Sequence, residues 1–168
     1  STVSFMQTGA HPDDEASRLL AKLSLDYGYH VSYVNAVRGQ GGQNSIGPER
    51  DDNLGALRTF ELLKAMSVLR ADIGWLAENR NSSIVDFGLS KSAEETFEFW
   101  GKDHTFQRMV RLVRAYKPDI IIPTFLDING QHGHHRAITR ATIEAYDNSD
   151  NSKIYKDSQF KPWKISQI

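Results

Sequence analysis

Val3-Ser4-Phe5-Met6-Gln7-Thr8-Gly9-Ala10-His11-Pro12-Asp13-Asp14-Glu15 is the stretch on which the reading of this chain turns. A short apolar run is followed at once by one imidazole and three carboxylates, which predicts a strand over about Val3–Thr8 and a strand-to-helix junction behind it. Two accounts of His11–Glu15 are open. A helix start places proline in the first turn and acidic residues beside the positive end of the helix dipole. It explains Pro12, Glu15 and one aspartate, and gives no reason for His11. A metal site uses all of them, because hard and borderline ions take imidazole and carboxylate ligands, and hydrolysis needs a carboxylate base beside them.

The rest of the chain alternates strand-like and helical patterns. A helix follows the junction, with Ala16, Leu19, Leu20, Leu23 and Tyr27 on one face and Gly28 as its stop. Val31–Val37 reads as a strand, and a glycine-rich loop over Arg38 to about Arg50 leads into a long helix from near Asp51 to Leu69. Ile73–Ala77 reads as a third strand, Ala93–Trp100 as a short helix, and Phe106, Met109, Val110 and Val113 as one face of another, ended by Lys117-Pro118. Ile120–Ile122 is a fourth strand that stops pairing at Pro123. Ala137, Ile138, Ala141 and Ala145 mark a last helix. Strands separated by helices imply an α/β fold with a doubly wound, mostly parallel sheet and helices on both faces.

In such sheets ligands bind outside the carboxyl ends of the strands. A second cluster, Gln131-His132-Gly133-His134-His135, leaves the fourth strand as His11–Glu15 leaves the first, so both fall on one rim. Alone, a histidine cluster on a glycine-bearing loop reads equally as surface polarity or as a metal site. His30 enters its strand from the opposite end and is read as a surface residue. His104, at a helix start, is left out of the site. Winding Leu54–Leu69 as a helix puts Leu54, Leu57, Leu62, Ala65, Val68 and Leu69 on one apolar arc, with Arg58 and Glu61 inside it. That predicts either an ion pair between the two locking helix to sheet, or an arginine directed at a substrate.

Composition bounds the function. With 168 residues, 39% of them hydrophobic, one globular domain is expected. A net charge of −1 offers no footprint for nucleic acid. No apolar run reaches the length of a membrane span. No leader segment is legible, and a chain opening at Ser1 is compatible with one already removed. The absence of cysteine excludes disulfides and thiolate zinc sites.

Taken together, Ala10-His11-Pro12-Asp13-Asp14-Glu15, the later His132-x-x-His135, and Arg58-x-x-Glu61-Leu62 after a glycine-rich loop resemble the PIG-L/LmbE-like zinc-dependent de-N-acetylases. The resemblance runs from residue 1 to about Trp163. It implies a Rossmann-like fold and hydrolysis of an N-acetyl group, commonly on a glucosamine-type sugar. Carried over by position, it implies His11, Asp14 and His135 as ligands of one Zn²⁺ per chain, or of another divalent ion. It implies Asp13 as general base and His132 as the group that stabilises or protonates the transition state. Arg58 and Asp86, the latter in an Asp-x-Gly after the third strand, would contact the sugar. A three-ligand zinc leaves a position open for water and substrate.

The chain departs from the family in two places. Many relatives carry Pro-Asp between the paired histidines, where this chain has Gly133-His134, which makes His134 a competing ligand. Family members also usually continue well beyond Ile168, so the chain reads as one de-N-acetylase-like domain that is a fragment or part of a longer enzyme. Two other functions are weighed. A carbohydrate-binding domain would use Arg58 and Asp86 but would not need Asp13 beside Asp14. A phosphoesterase would call for two metals and more carboxylates.

Overall fold

The computed structural model describes residues 2–168. Within them the strands β1 (Ser4–Gly9), β2 (His30–Asn35), β3 (Asp72–Trp75) and β4 (Ile120–Pro123) form one parallel sheet in the order β3-β2-β1-β4. Register pairs Gly9 with Asn35, Thr8 with Pro123 and Asn35 with Trp75, so the carboxyl ends of all four strands lie along one edge. The ladder runs slightly past the named strands, as Val37 N–H donates to Ala10 O and Ala77 N–H to Ala36 O. Half of the residues in these strands are β-branched or aromatic, types that pack well on a pleated surface.

Side chains alternate between the faces, and each face has its own core. Phe5, Val31 and Tyr33 pack with Leu20 of α1 (Ser17–Ala21) and with Leu62, Met66 and Leu69 of α2 (Asp51–Leu69). Met6, Val34 and Ile121 pack on the other side. Their partners come from α3 (Ala93–Trp100), α4 (Lys102–Tyr116) and α5 (Gly133–Asn148). This is the doubly wound α/β arrangement expected from the alternation. Among the described residues no helix is long and apolar enough to cross a membrane.

Local chemistry sets the helix ends. Ser92 caps α3 by accepting from Glu95 N–H at 3.1 Å, while the Glu95 carboxylate accepts from Lys91 N–H at 2.7 Å. Lys117 ends α4 in the left-handed region, φ 53°, and Pro118 prevents its continuation. Gly28, φ 68°, ends the turn that follows the π-helical extension of α1 over Lys22–Asp26.

Two helical readings need correction. α1 begins only at Ser17, with no acidic residue in its first turn, and Leu19 and Tyr27 of the expected face are exposed. On α2 the buried residues are Leu54, Gly55, Leu62, Met66 and Leu69, while Leu57 and Val68 of the expected arc face solvent. Glu61 is exposed as well. The apolar residues of α2 are spread around the helix, so winding alone cannot pick the face that the sheet covers.

Candidate metal centre

His11–Ala16 is an irregular loop between β1 and α1. The helix-start account of its acidic residues therefore fails. A turn closed by Asp14 N–H on His11 O folds the loop back, and Asp14 Oδ2 accepts from the N–H groups of Ala10 and His11, each at 2.8 Å. Tyr33 Oη donates to His11 O at 3.3 Å from the β2 side. A side chain on Gly9 would collide with that tyrosine hydroxyl and with Asp14 Cβ, so only glycine allows the loop to leave the sheet here.

The second cluster arrives from the β4 side. His132 is the N-cap of α5, its Nδ1 accepting from His134 N–H at 3.1 Å. The first turn of α5 then directs consecutive histidines differently, His134 into the core and His135 toward His11. His11 Nδ1 and His135 Nε2 lie 3.1 Å apart. Asp14 Oδ2 lies 3.5 Å from the first and 3.3 Å from the second. Tetrahedral zinc with bonds of about 2.0–2.1 Å separates its ligands by about 3.3–3.4 Å, so this donor set fits one such ion.

Each ring nitrogen turned away from the triangle has a partner. His135 Nδ1 meets Gln131 Oε1 at 3.1 Å, and Phe125 stacks on the His135 ring with centroids 4.0 Å apart. His11 Nε2 meets His134 Nδ1 at 3.1 Å. With these outer nitrogens as donors, the inner ones present lone pairs, which is how surrounding groups set a metal-binding imidazole. Burial would raise the Asp14 carboxyl, but hydrogen bonding and charge from His11 and His135 outweigh it and hold the group well below its usual range.

His134 is fully buried. Its ring lies 4.9 Å from Trp100 and 4.5 Å edge-on from Phe87, and its Nε2 has no hydrogen-bond partner among the described residues. His11, His132 and His134 could also gather round an ion. That would engage His11 through Nε2, on the side away from Asp14, and would surrender the hydrogen bond that His134 Nδ1 accepts. Gly133 is required as much as the histidines around it. Any side chain there would run into Ser90 Oγ and Ser92 O, and its N–H donates to Ser90 O at 2.8 Å. The proline that many relatives carry would lose that bond.

Arg58 reaches the mouth of the site and does not form the expected pair with Glu61. Its Nη2 donates to Asp13 Oδ1 at 2.6 Å and its Nη1 to Gly39 O at 3.2 Å, while Glu61 makes no pair with it. Asp13 is 74% exposed and stands beside the triangle without joining it. Asp86 is 3% exposed, 4.0 Å from His11 Nε2 and 3.9 Å from His134 Nδ1, and its Oδ1 accepts from Gly88 N–H. The structure therefore places Asp86 beneath the histidines. The glycine-rich loop is shaped by these two residues. Side chains on Gly39 and Gly42 would strike the Arg58 guanidinium, and one on Gly41 would strike Asp86.

Comparison with known proteins agrees with this arrangement. Residues 6–146 match the family described as PIG-L, GlcNAc-PI de-N-acetylase. The chain belongs to this family. The 1D-myo-inositol 2-acetamido-2-deoxy-alpha-D-glucopyranoside deacetylase of Streptomyces scabiei is 28% identical over 95% of this chain and 52% of its own length. Among solved structures, the N,N'-diacetylchitobiose deacetylase of Pyrococcus horikoshii superposes with a TM-score of 0.68 at 21% identity, covering 95% of this chain and 56% of that one. The 4-carboxy-2-hydroxymuconate hydratase GalB of Pseudomonas putida has the same fold, with a TM-score of 0.65 at 16% identity over 95% of this chain and 62% of that one. The chain spans about half the length of the curated relatives it matches.

Within this PIG-L chain, Gln131 and Phe125 are the residues that sequence reasoning missed. Gln131 had a signal, since it precedes His135 by four positions in the same motif. Phe125 had none, because its contact depends on how the loop after β4 folds back over α5.

Proposed function

We propose that this PIG-L chain carries the centre of a metal-dependent amidohydrolase that removes the acetyl group from an N-acetylglucosamine-type sugar or glycoconjugate. The observation that carries this is the triangle of His11 Nδ1, Asp14 Oδ2 and His135 Nε2 at metal-ligand spacing, with a carboxylate outside the triangle, Asp13, next in sequence to Asp14. Zn²⁺ held by these three residues would supply a Lewis acid for the amide carbonyl and a nucleophilic water near neutrality.

The protein's own groups do the rest. Asp13 keeps Oδ2 available while Arg58 anchors Oδ1, so the carboxylate faces the attacking water and takes its proton. His132 has Nδ1 committed to capping α5, which leaves Nε2 to hold a proton. The Ser90 N–H, at 3.4 Å, is a weak competitor there. Burial, and then the His11 and His135 rings, push the His132 pKa below its usual value, so the neutral ring donates its Nε2–H as a hydrogen bond to the developing oxyanion, and the proton that Asp13 took from the water is the one passed to the departing amine. The C–N bond breaks, and acetate and a free amino sugar result. Asp86 acts through His11 and His134 from beneath, and Arg58 offers its remaining N–H groups to sugar hydroxyls. GalB shares the fold while catalysing a hydration, so the reading rests on the site and not on the fold.

The test is acetate release from N-acetylglucosamine and from its inositol conjugate, with and without a chelator. Release that stops on chelation and returns with added Zn²⁺ is expected. A metal-loaded protein that binds these sugars and releases no acetate would make the chain a carbohydrate-binding domain.

A further inference from the structure

Beside the metal centre, between α2 and the segments leaving β2 and β3, lies a cavity of about 500 Å³. That volume suits a small organic ligand. No residue of the histidine cluster lines it. Ala77 and Ile84 give it an apolar surface, and Gln40, Thr59 and Asn79 give it hydrogen-bonding groups. Its charged lining residues are two arginines, Arg38 and Arg80, and one carboxylate, Asp52.

Arg38 is the anomaly. Its guanidinium stacks 3.5 Å from the centroid of the Trp75 ring, which fixes its plane and leaves its N–H edge free. Among the described residues it donates no hydrogen bond and forms no ion pair, with Asp52 or any other carboxylate. Every other arginine that is not exposed has such partners: Arg58 with Asp13, Arg108 with Glu78, Arg111 with Asp157, Arg114 with backbone carbonyls, Arg136 and Arg140 with Asp127. Burial lowers the pKa of Arg38, and no neighbouring acid offsets it. Gln40 Oε1 on the same wall is buried without a donor. Stacking on Trp75 steadies the cation but gives its N–H groups no acceptor and Gln40 Oε1 no donor, and leaving both unmatched is costly. A ligand bearing an oxyanion and hydroxyl groups would match both.

We propose that this cavity is a binding site for an anionic, hydroxyl-rich small molecule, a sugar or polyol carrying phosphate or carboxylate, with Arg38 gripping the oxyanion and Gln40 accepting from a hydroxyl. Gly55 of α2 is part of the construction, since a side chain there would press on Gln40 Cβ at 3.1 Å and Arg38 Cβ at 3.5 Å and narrow the space. The site stands apart from the deacetylation reading and is tested by binding alone.

The experiment is an NMR titration of the ¹⁵N-labelled chain with N-acetylglucosamine 6-phosphate, glucuronate, N-acetylglucosamine and inorganic phosphate. The Trp75 indole and Arg38 Nε–H report on the cavity, and the His11 and His135 rings on the metal centre. The phosphorylated sugar or glucuronate is expected to move the cavity reporters and to bind there at least about tenfold more tightly than neutral N-acetylglucosamine, as charge-assisted hydrogen bonds imply. Which of the two binds tighter identifies phosphate or carboxylate as the preferred group. Weaker shifts of the same reporters by inorganic phosphate would support the oxyanion contact. Arg38→Met should abolish the preference while melting no earlier than the wild type, and Arg38→Lys should retain part of it. Shifts confined to the His11 and His135 rings, or equal cavity affinity for the neutral sugar, would overturn the proposal. An Arg38→Met protein that melts early with unchanged affinity would do so too, by making the arginine structural.

Discussion

His134 acts through its shape and one acceptor atom. Burial, and then the His11, His132 and His135 rings, push its pKa down to about 2, so the ring is neutral near pH 7 and its Nδ1 accepts from His11 Nε2. His134→Phe keeps an aromatic ring between Phe87 and Trp100 but removes that acceptor. Its zinc affinity, measured by chelator competition, should fall about 10–100-fold. His134→Asn, which restores an acceptor, should recover part of the loss, and equal affinity of His134→Phe and wild type would show that His11 needs no such partner. At the mouth, Asp13→Asn should keep its metal and lose about 10²–10⁴ in kcat. Arg58→Ala should lower kcat while changing stability by less than about 1 kcal/mol, because the pair it breaks is largely exposed on the Asp13 side. If Arg58 works by anchoring Asp13, the two losses do not add in the double variant, and additive losses would separate the two residues.

At the scale of elements, the loop after β4 is tied to α5 by one carboxylate. Asp127 accepts from Arg136 Nε and Arg140 Nε, each at 2.6 Å, and Arg140 also pairs with Glu94 of α3. Burial would raise the Asp127 carboxyl, but the bonds from Arg140 and Arg136 outweigh it and hold it below its usual value. A folded-state pKa below the unfolded one adds stability that is fully present above the unfolded value of about 3.9 and is lost as pH falls through the folded one. Wild type should therefore melt above Asp127→Asn at pH 7, with the gap closing below about pH 4. A gap that persists in acid would mean the carboxylate acts by packing. The alternation of strand and helix was legible because it depends on local periodicity. The buried face of α2 was not, because its apolar residues surround the helix and only contact with the sheet selects among them. Nor was the partner of Arg58, which lies across a loop and not one turn along the helix.

For the whole molecule, the deciding feature is the strand order. β1 passes the chain to β2 and β3 on one side and receives β4 on the other, so the segments leaving β1 and β4 flank the switch point and bring His11 and His135 together there. The C-terminal segment braces this layout. Ile121 N–H donates to Gln167 O, and Arg114, 2% exposed, donates to the carbonyls of Ser149, Asn151 and Tyr155. Arg114→Met should strand these acceptors, cost on the order of 3 kcal/mol or more in denaturant unfolding, and increase amide exchange across residues 149–167. Unchanged exchange there would mean the segment holds by apolar packing alone. The sequence by itself determined the α/β alternation and that two histidine- and carboxylate-bearing clusters share one rim, because strand and helix periods are local and the rule for ligand position follows from them. Tertiary structure alone decided which nitrogen of which histidine faces Asp14, that Asp86 lies beneath the histidines, and that Arg38 is left unpaired over a cavity. Those outcomes turn on side-chain directions at loop-to-helix boundaries, where a shift of one residue rotates a side chain by about 100° and only packing from distant parts of the chain settles the choice.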